Sequence, residues 1–598
     1  MRILGLSFGF HDSAAALVVD GQVVAAAQEE RFSRNKNDPG FPLAAAQFCL
    51  EQAQILAQDI DLVAYHEDAL TKFDRIVKSW VGNYVDHGEE FEGLVASWIR
   101  GKKFDPLQMI ADELDISSSK IVSNKHHVSH AASAFFASPF DDATVVTIDG
   151  VGEYETTTVS IGSGNSLKKV WSCELPNSIG LFYSAFTAYL GFRVNEGEYK
   201  VMGMAAFGTP RYLADIEQLL RLEDDGSFNI DPAFFAFHGM GDLPYTPRLC
   251  DRFGVPRQVG APFATDEHLV PPDLPAADVD RLIGESQRFA DIAASVQLHT
   301  ERAIRHVVDH AVAKTGISNV ALAGGVALNS LANGRLARES DYSLFIQPAA
   351  GDAGCALGAA LYHWHQHSDK RGRAQQSCSL GRSFPADRSK AAAAGSGYRI
   401  IREGEVDQEY LRKVASLISD GAVVGWFHGR SEWGPRALGN RSILADPRNA
   451  DNKRIVNEKV KFREPFRPFA PAVMAERAGD FFELPGDAEP WIGMPETFML
   501  SVHPVRESVR HRLPATTHAD GTARVQLVFR QSNDVFYDLL REYEVCAGVP
   551  IVLNTSFNLN GEPIVDTPED AIRTFSLSGL DYLCLDGIIL SKELSEAI

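Results

Sequence analysis

Two histidines one helical turn apart open the chemistry of this sequence. In Asn124-Lys125-His126-His127-Val128-Ser129-His130 the i, i+4 spacing brings His126 and His130 to one face of a helix. Asp149 follows an apolar strand-length run at 143–148 and precedes Gly150, at a strand end where open sheets present ligands. Asp352 lies in Ala350-Gly351-Asp352-Ala353-Gly354, at another strand-to-helix turn. Two imidazoles and two carboxylates suit a borderline divalent metal, and donor type alone leaves Fe(II), Mn(II) and Zn(II) open. The same spacing recurs at His306 and His310 among Glu301, Arg302, Arg305 and Asp309, which reads as a solvated helix face. His363, His365 and His367 alternate at what looks like a helix end.

Glycines mark a second chemistry. Gly5-Leu6-Ser7-Phe8-Gly9 turns after the first strand, Ala323-Gly324-Gly325-Val326-Ala327-Leu328-Asn329 ends a strand before a helix, and Gly351–Gly354 makes a third such turn. Glycine there lets backbone N–H groups and a helix N-terminus approach an anion. One such turn is only a tight turn; three at successive strand ends point to a nucleotide cleft. In the C-terminal half, Gly429-Arg430-Ser431-Glu432-Trp433-Gly434-Pro435-Arg436-Ala437-Leu438-Gly439-Asn440-Arg441 is followed by Lys459, Lys461, Arg463 and Arg467. Guanidiniums held among Gly and Pro fit a rigid oxyanion pocket, since the arginine fork matches phosphate bidentately. Asn554-Thr555-Ser556 follows a strand at 550–553 and offers neutral polar partners.

The elements that must position these groups alternate. Runs at 2–7, 14–19 and 23–28 read as strands, with Asp20-Gly21 a hairpin signal. Strands at 121–122, 143–148, 319–323 and 343–346 alternate with helices near 126–137, 178–191 and 285–315, after Leu328 and after Ala353. That is an α/β pattern. The Pro/Asp/Gly-rich stretch 240–281 reads as a surface excursion, and no internal repeat is visible. The polar stretch around 371–395 reads as a linker between a domain at 1–370 and a second α/β domain at 396–598, which begins with a helix at 406–420 and a strand at 422–427.

Composition narrows the function classes. A chain of 598 residues is too long for one core. With 57 Lys+Arg against 79 Asp+Glu, the net charge of −22 argues against a nucleic acid partner, which needs a basic face. Between Arg430 and Arg467, however, ten Lys/Arg face five Asp/Glu, so a compact anion is one reading of that island and a solvated basic face the other. No apolar run approaches the roughly 20 residues of a membrane span. The seven cysteines are scattered singly, and with no export signal at the N-terminus the expectation is reduced thiols in the cytoplasm.

The segments GFHDSAAAL, HHVSHAASAFF, TIDGVGE, EGEYKVMG, AGGVALN, PAAGDAGCALGAAL, GRSEWGPRALGNRSILADPR, FREPFRPFAPAV and NTSFNLNGEPIVDTPEDA resemble the NodU/CmcH carbamoyltransferase family, and they span residues 9 to about 571. The resemblance implies an N-terminal TsaD-like domain of the actin-like ATPase (ASKHA) fold joined to a C-terminal YrdC-like α/β domain. It implies that carbamoyl phosphate and ATP give carbamoyl-adenylate in the C-terminal domain, with transfer to a small-molecule hydroxyl acceptor in the N-terminal one. By motif, His126, His130, Asp149 and Asp352 would hold the metal, Fe(II) by analogy, and His11 would be the general base. Gly150, Gly324, Gly325 and Asn329 would line the nucleotide site; Arg436, Arg441, Lys461, Arg467, Arg524, Asn554 and Ser556 would hold carbamoyl phosphate and ATP, with Mg(II) a candidate companion of ATP. Acceptor-binding residues do not carry over.

Three rivals remain beside that reading. Threonylcarbamoyl transfer to tRNA suits the separate TsaD and YrdC relatives but not a charge of −22. A non-catalytic ATP-gated protein of the actin-like kind explains the glycine turns and leaves the His/His/Asp/Asp set without a purpose; a sugar kinase has the same weakness.

Overall fold

The computed structural model describes residues 1–81, 84–237, 243–266, 269–270, 274–485 and 490–594. The surface excursion expected at 240–281 thus lies partly outside the described residues. The chain divides into two compact units: unit 1 is Met1–Val24, Pro39–Ala332 and Asp341–Ala374, and unit 2 is Ala25–Asp38, Asn333–Ser340 and Gln375–Ile598.

Unit 1 is built on two five-stranded sheets with one topology used twice. The first contains β1 (Arg2–Ser7), β2 (Ala14–Val19), β3 (Gln22–Gln28), β4 (Leu62–Tyr65) and β5 (Ile121–Ser123), in the order β3-β2-β1-β4-β5. The second contains β6 (Asp142–Ile148), β7 (Glu155–Ser163), β8 (Ser166–Glu174), β9 (Asn319–Ala323) and β10 (Ser343–Ile346), in the order β10-β9-β6-β7-β8. In each, the leading strand pairs antiparallel with the strand that follows it and parallel with the fourth, and the fourth pairs parallel with the fifth. This duplicated arrangement is what the actin-like ATPase fold requires. The sequence displayed no repeat because strand order survives any change of side chain that keeps the strands apolar: β1 and β6 are buried at all but their first residue.

The helices α1 (His126–Phe135), α2 (Ala276–Thr315) and α3 (Asp352–Gln366) complete the frame. Helix α3 lies against β1 and α1 at backbone distance. A Cβ on Gly5 would meet Ala356 O at 1.8 Å, and one on Gly358 would meet Ser129 O at 1.8 Å. Only glycine permits those approaches, and they bring the first residue of α3, Asp352, to the level of the histidines on α1. Helix α2 begins nine residues before the apolar period suggested, because its first turns, with Asp278, Asp280 and Arg281, are polar.

Unit 2 carries an eight-stranded mixed sheet of β11 (Tyr398–Arg402), β12 (Val424–Phe427), β13 (Arg441–Ala445), β14 (Ala470–Met474), β15 (Gln526–Val528), β16 (Ile551–Ser556), β17 (Tyr582–Leu585) and β18 (Ile588–Leu594), in the order β11-β18-β17-β12-β13-β16-β14-β15. One face packs on Leu411, Val414 and Ile418 of the helix Gln408–Ser419 and Phe536 and Leu540 of the helix Asp534–Ala547. Residues Ala386–Gly395 form a helix as well. No described helix is long and apolar enough to cross a membrane.

Candidate functional site

In unit 1 the four expected donors come together. His126 opens α1, where its backbone N–H donates to Glu153 Oε1 at 2.9 Å, a carboxylate placed where the helix dipole favours it. One turn on, His130 turns its Nε2 to within 3.1 Å of His126 Nε2. Asp149 follows β6 and sets Oδ2 3.1 Å from His126 Nε2 and 3.7 Å from His130 Nε2. Asp352 sets Oδ1 3.6 Å from both imidazole nitrogens. His126, His130 and Asp352 are buried.

The two separations of 3.1 Å are those of donors around a cation, and the three of 3.6–3.7 Å are slightly wider. Two donors about 2.1 Å from a common ion, at angles between square and tetrahedral, stand about 3.0–3.4 Å apart. The Nε2 atoms of His126 and His130 converge on Asp149 and Asp352, while their Nδ1 atoms are buried without a hydrogen-bond partner. His127, between them, faces away: its Nδ1 bonds Thr147 Oγ1 at 2.7 Å and its Nε2 bonds Glu155 O at 2.9 Å. A fifth side chain joins the group. Cys355, one turn beyond Asp352 on α3, places Sγ within 4.8 Å of ligand atoms of His126, His130 and Asp352. Spacing gives Cys355 no distinction, since a lone cysteine in an alanine-rich helix carries no signal until the partner helix is in place.

The electrostatics follow from crowding two carboxylates against imidazoles. Burial disfavours charge on His130, but Cys355, Asp149 and Asp352 outweigh it and raise its pKa well above the ordinary value. Burial likewise works against the Asp149 carboxylate, yet its bonds to His126 and His130 hold its pKa well below the ordinary value. His11, on the loop after β1, stands with Nε2 3.8 Å from Asp352 Oδ2 and Nδ1 3.1 Å from Asp12 Oδ2. Burial lowers its pKa, but Asp352, the Asp12 bond and Asp149 together push it up to about 9. His66 and Glu67, at the end of β4, form a neighbouring buried group with His126.

Two of the glycine turns adjoin at the end of the second sheet. Gly324, at φ +93°, donates its N–H to Ala350 O at 2.8 Å, and a Cβ there would meet Ile148 O at 2.2 Å. Gly325 donates its N–H to Asp149 Oδ1 at 2.8 Å. Gly150 accepts from Ser178 Oγ at 2.6 Å through its carbonyl. Asn329 is turned into the protein, its amide paired with Gln297 in both directions at 2.9 and 3.1 Å. The rival histidines stay apart: neither His306 nor His310 belongs to a metal-like cluster among the described residues. His363 Nε2 bonds Asn124 Oδ1 at 2.7 Å, His365 stacks on Phe136 at 3.8 Å, and His367 Nδ1 bonds His363 O.

Unit 2 assembles the basic residues more selectively. Arg524, in the strand Thr522–Arg524, lies near Arg436, Arg463 and Arg467; burial and then those three charges lower its pKa well below the ordinary value. Its Nε has no hydrogen-bond partner. Lys461 is buried and bonds Ser556 O at 2.6 Å, Ser556 Oγ at 3.1 Å and Asn558 Oδ1. Burial, then Arg463, Arg467 and Lys36, lower its pKa well below the ordinary value. Lys36 comes from the N-terminal segment that unit 2 includes, more than 400 residues away in sequence, and nothing in local spacing announces it. Asn554 is buried and bonds Gln526 Oε1 at 2.8 Å, leaving its own Oδ1 without a partner.

Arg441 plays a different part from the one its motif suggested. It is fully buried, stacks on Phe427 at 3.6 Å, and donates to the carbonyls of Asp566, His428, Asn440, Arg382 and Gly429. A guanidinium so occupied is a strut for the loop around it. Glu432 is the other strut, accepting the backbone N–H groups of Leu438, Asn440 and Arg441 on one carboxylate oxygen.

Comparison with known proteins gives two family models, carbamoyltransferase N-terminus over residues 2–361 and carbamoyltransferase C-terminus over residues 415–592. The uncharacterized protein sll1178 of Synechocystis is 41% identical, covering 99% of this chain and 97% of its own length. Nodulation protein NolNO of Sinorhizobium fredii is 39% identical over 97% of this chain and 79% of its own. Nodulation protein U of Rhizobium tropici is 27% identical over 99% and 96%. Among solved structures, HypF of T. kodakarensis matches 61% of this chain and 48% of its own at 17% identity with a TM-score of 0.31, too slight a likeness to argue from.

Proposed function

This chain belongs to the carbamoyltransferase family, and from that premise we propose that it is an ATP- and carbamoyl phosphate-dependent O-carbamoyltransferase acting on a small-molecule hydroxyl. The observation that supports this reading is the presence of two chemically distinct sites, a His/His/Asp/Asp set in unit 1 and a cationic cluster about Arg524 and Lys461 in unit 2.

In unit 2, Arg436, Arg467 and Arg524 bind the phosphates of carbamoyl phosphate and ATP, since guanidiniums gathered at one place favour an oxyanion there. Lys461, held by Ser556 and Asn558, adds a point charge at the same place. Carbamoyl phosphate and water give carbamate and phosphate; carbamate oxygen attacks the α-phosphorus of ATP, the bond to pyrophosphate breaks, and carbamoyl-adenylate forms. Mg(II) would accompany ATP there.

In unit 1, His126, His130, Asp149 and Asp352 would hold a divalent metal, for which Fe(II) is the proposed identity. Such an ion supplies Lewis acidity toward a carbonyl oxygen. His11 takes the proton from the acceptor hydroxyl, the new C–O bond forms, and AMP leaves. For that step His11 must be neutral, so its raised pKa has to fall; balancing the charges of Asp352 and Asp149 with a cation removes two of the causes that raise it. The turns at Gly150, Gly324 and Gly325 leave backbone beside the nucleotide, and Asn329 braces the third of them through Gln297.

The test is product analysis with purified protein, ATP and carbamoyl phosphate. AMP and pyrophosphate released only with carbamoyl phosphate present, and an acceptor gaining one carbamoyl mass from a panel of hydroxyl compounds, support the reading. ADP formation independent of carbamoyl phosphate would overturn it.

A further inference from the structure

Cys355 has a position that none of the foregoing uses. It lies three residues after Asp352 on α3, on the same face, and it is fully buried. Its Sγ, a carboxylate oxygen of Asp352 and one nitrogen each of His126 and His130 all lie within 4.8 Å of one another. A core cysteine would serve as well pointing at any apolar neighbour; this one points at three groups that share a single focus.

We propose that Cys355 is a further donor to the metal, its sulfur entering the coordination sphere beside His126, His130 and Asp352. The proposal rests on the metal reading of the His/His/Asp/Asp set. Metal–sulfur bonds of about 2.3 Å and metal–nitrogen bonds of about 2.1 Å place donors on opposite sides of an ion about 4.4 Å apart. Donors that already lie within 4.8 Å of one another are therefore close to that span. On binding, the S–H bond breaks, the sulfur lone pair goes to the ion, and the proton leaves to solvent.

The consequence is selectivity. Carboxylate and imidazole already bind Fe(II), Co(II) and Zn(II) more tightly than Mn(II), and a thiolate widens that difference in favour of the softer ions. Cys355 thus sharpens which metal this chain retains.

The experiment uses the full chain stripped of metal and loaded anaerobically with one equivalent of Co(II). Visible ligand-field bands report an ion at the His/Asp set, and a near-ultraviolet charge-transfer band reports sulfur bonded to it. Wild-type protein should show both, and so should Cys546→Ala, which alters the exposed cysteine. Cys355→Ala and Cys355→Ser should keep the visible bands, lose the charge-transfer band, and bind Co(II) about tenfold or more weaker, at least what loss of an outer partner costs. Their preference for Co(II) over Mn(II) should shrink. Wild-type protein with visible bands and no charge-transfer band overturns the role of Cys355, a result that needs no variant to fold. Absence of both bands in wild-type protein overturns the metal reading itself.

Discussion

The backbone N–H of Gly325 grips Asp149 Oδ1 at 2.8 Å, while Asp149 Oδ2 reaches His126. The glycine turn after β9 therefore orients a candidate metal ligand. Its neighbour Gly324 is locked by φ +93° and by Ile148 O, the residue before Asp149. Gly324→Ala should cost about 1–3 kcal/mol from the positive-φ backbone alone, and the clash adds to it. Urea denaturation should register that loss together with weaker metal retention. A variant as stable as wild type would mean that the turn relaxes freely.

The two histidine pairs make a second test. His130→Ala should lose bound metal and carbamoyl transfer yet keep carbamoyl phosphate-dependent pyrophosphate release, since its group lies in unit 1 and the cationic cluster in unit 2. His306→Ala, with the same helical spacing to His310, should keep its metal by elemental analysis. Metal loss in the second variant would assign the ion to the wrong pair.

What the sequence made legible was whatever a short window contains. His126 and His130 were readable because four residues of helix set their geometry, and Asp149 and Asp352 because each terminates or begins an element beside glycine. Cys355 was not, since its meaning depends on α3 approaching α1 through Gly358 and Ser129. Arg441 is the opposite case. Its motif displays a charge among glycines, but only the folded loop reveals that five carbonyls already occupy it. The duplicated sheets were invisible because topology is a property of pairing, not of residue type.

His11 supplies a pH test on metal-free protein. A pKa raised from 6.5 to about 9 means that protonated His11 stabilises the fold fully below 6.5 and loses that contribution as pH rises through about 9. NMR titration of the His11 ring should give a midpoint near 9 without metal and a lower one with Zn(II) bound. A midpoint near 6.5 in metal-free protein would show that Asp352 and Asp12 do not act on it.

Arg441 and Arg524 should respond oppositely to neutralisation. Arg441→Lys leaves buried carbonyls unpaired, at about 1–3 kcal/mol for each, and should unfold at much lower denaturant. Arg524→Met relieves repulsion from Arg436, Arg463 and Arg467 and should raise Tm by about 2–4 °C, equivalent to about 1 kcal/mol in a unit of this size. The same variant should lose pyrophosphate release, exchanging function for stability. A destabilised Arg524→Met would mean that this arginine is a strut too.

The division of labour between units has its sharpest test in rescue. Arg436 stands in the cluster about Arg524, and removing one charge-assisted contact at a buried oxyanion costs about 2.7–4 kcal/mol, or about 10²–10³ in rate. Arg436→Ala should therefore fail to make carbamoyl-adenylate, and Arg436→Lys should also be impaired, because an ammonium lacks the bidentate fork. Chemically synthesised carbamoyl-adenylate should restore acceptor carbamoylation to Arg436→Ala, whose unit 1 is intact, and should leave His130→Ala inactive. Mass spectrometry of the acceptor reads the outcome directly. Rescue of His130→Ala without rescue of Arg436→Ala would invert the assignment, placing transfer in unit 2 and activation in unit 1.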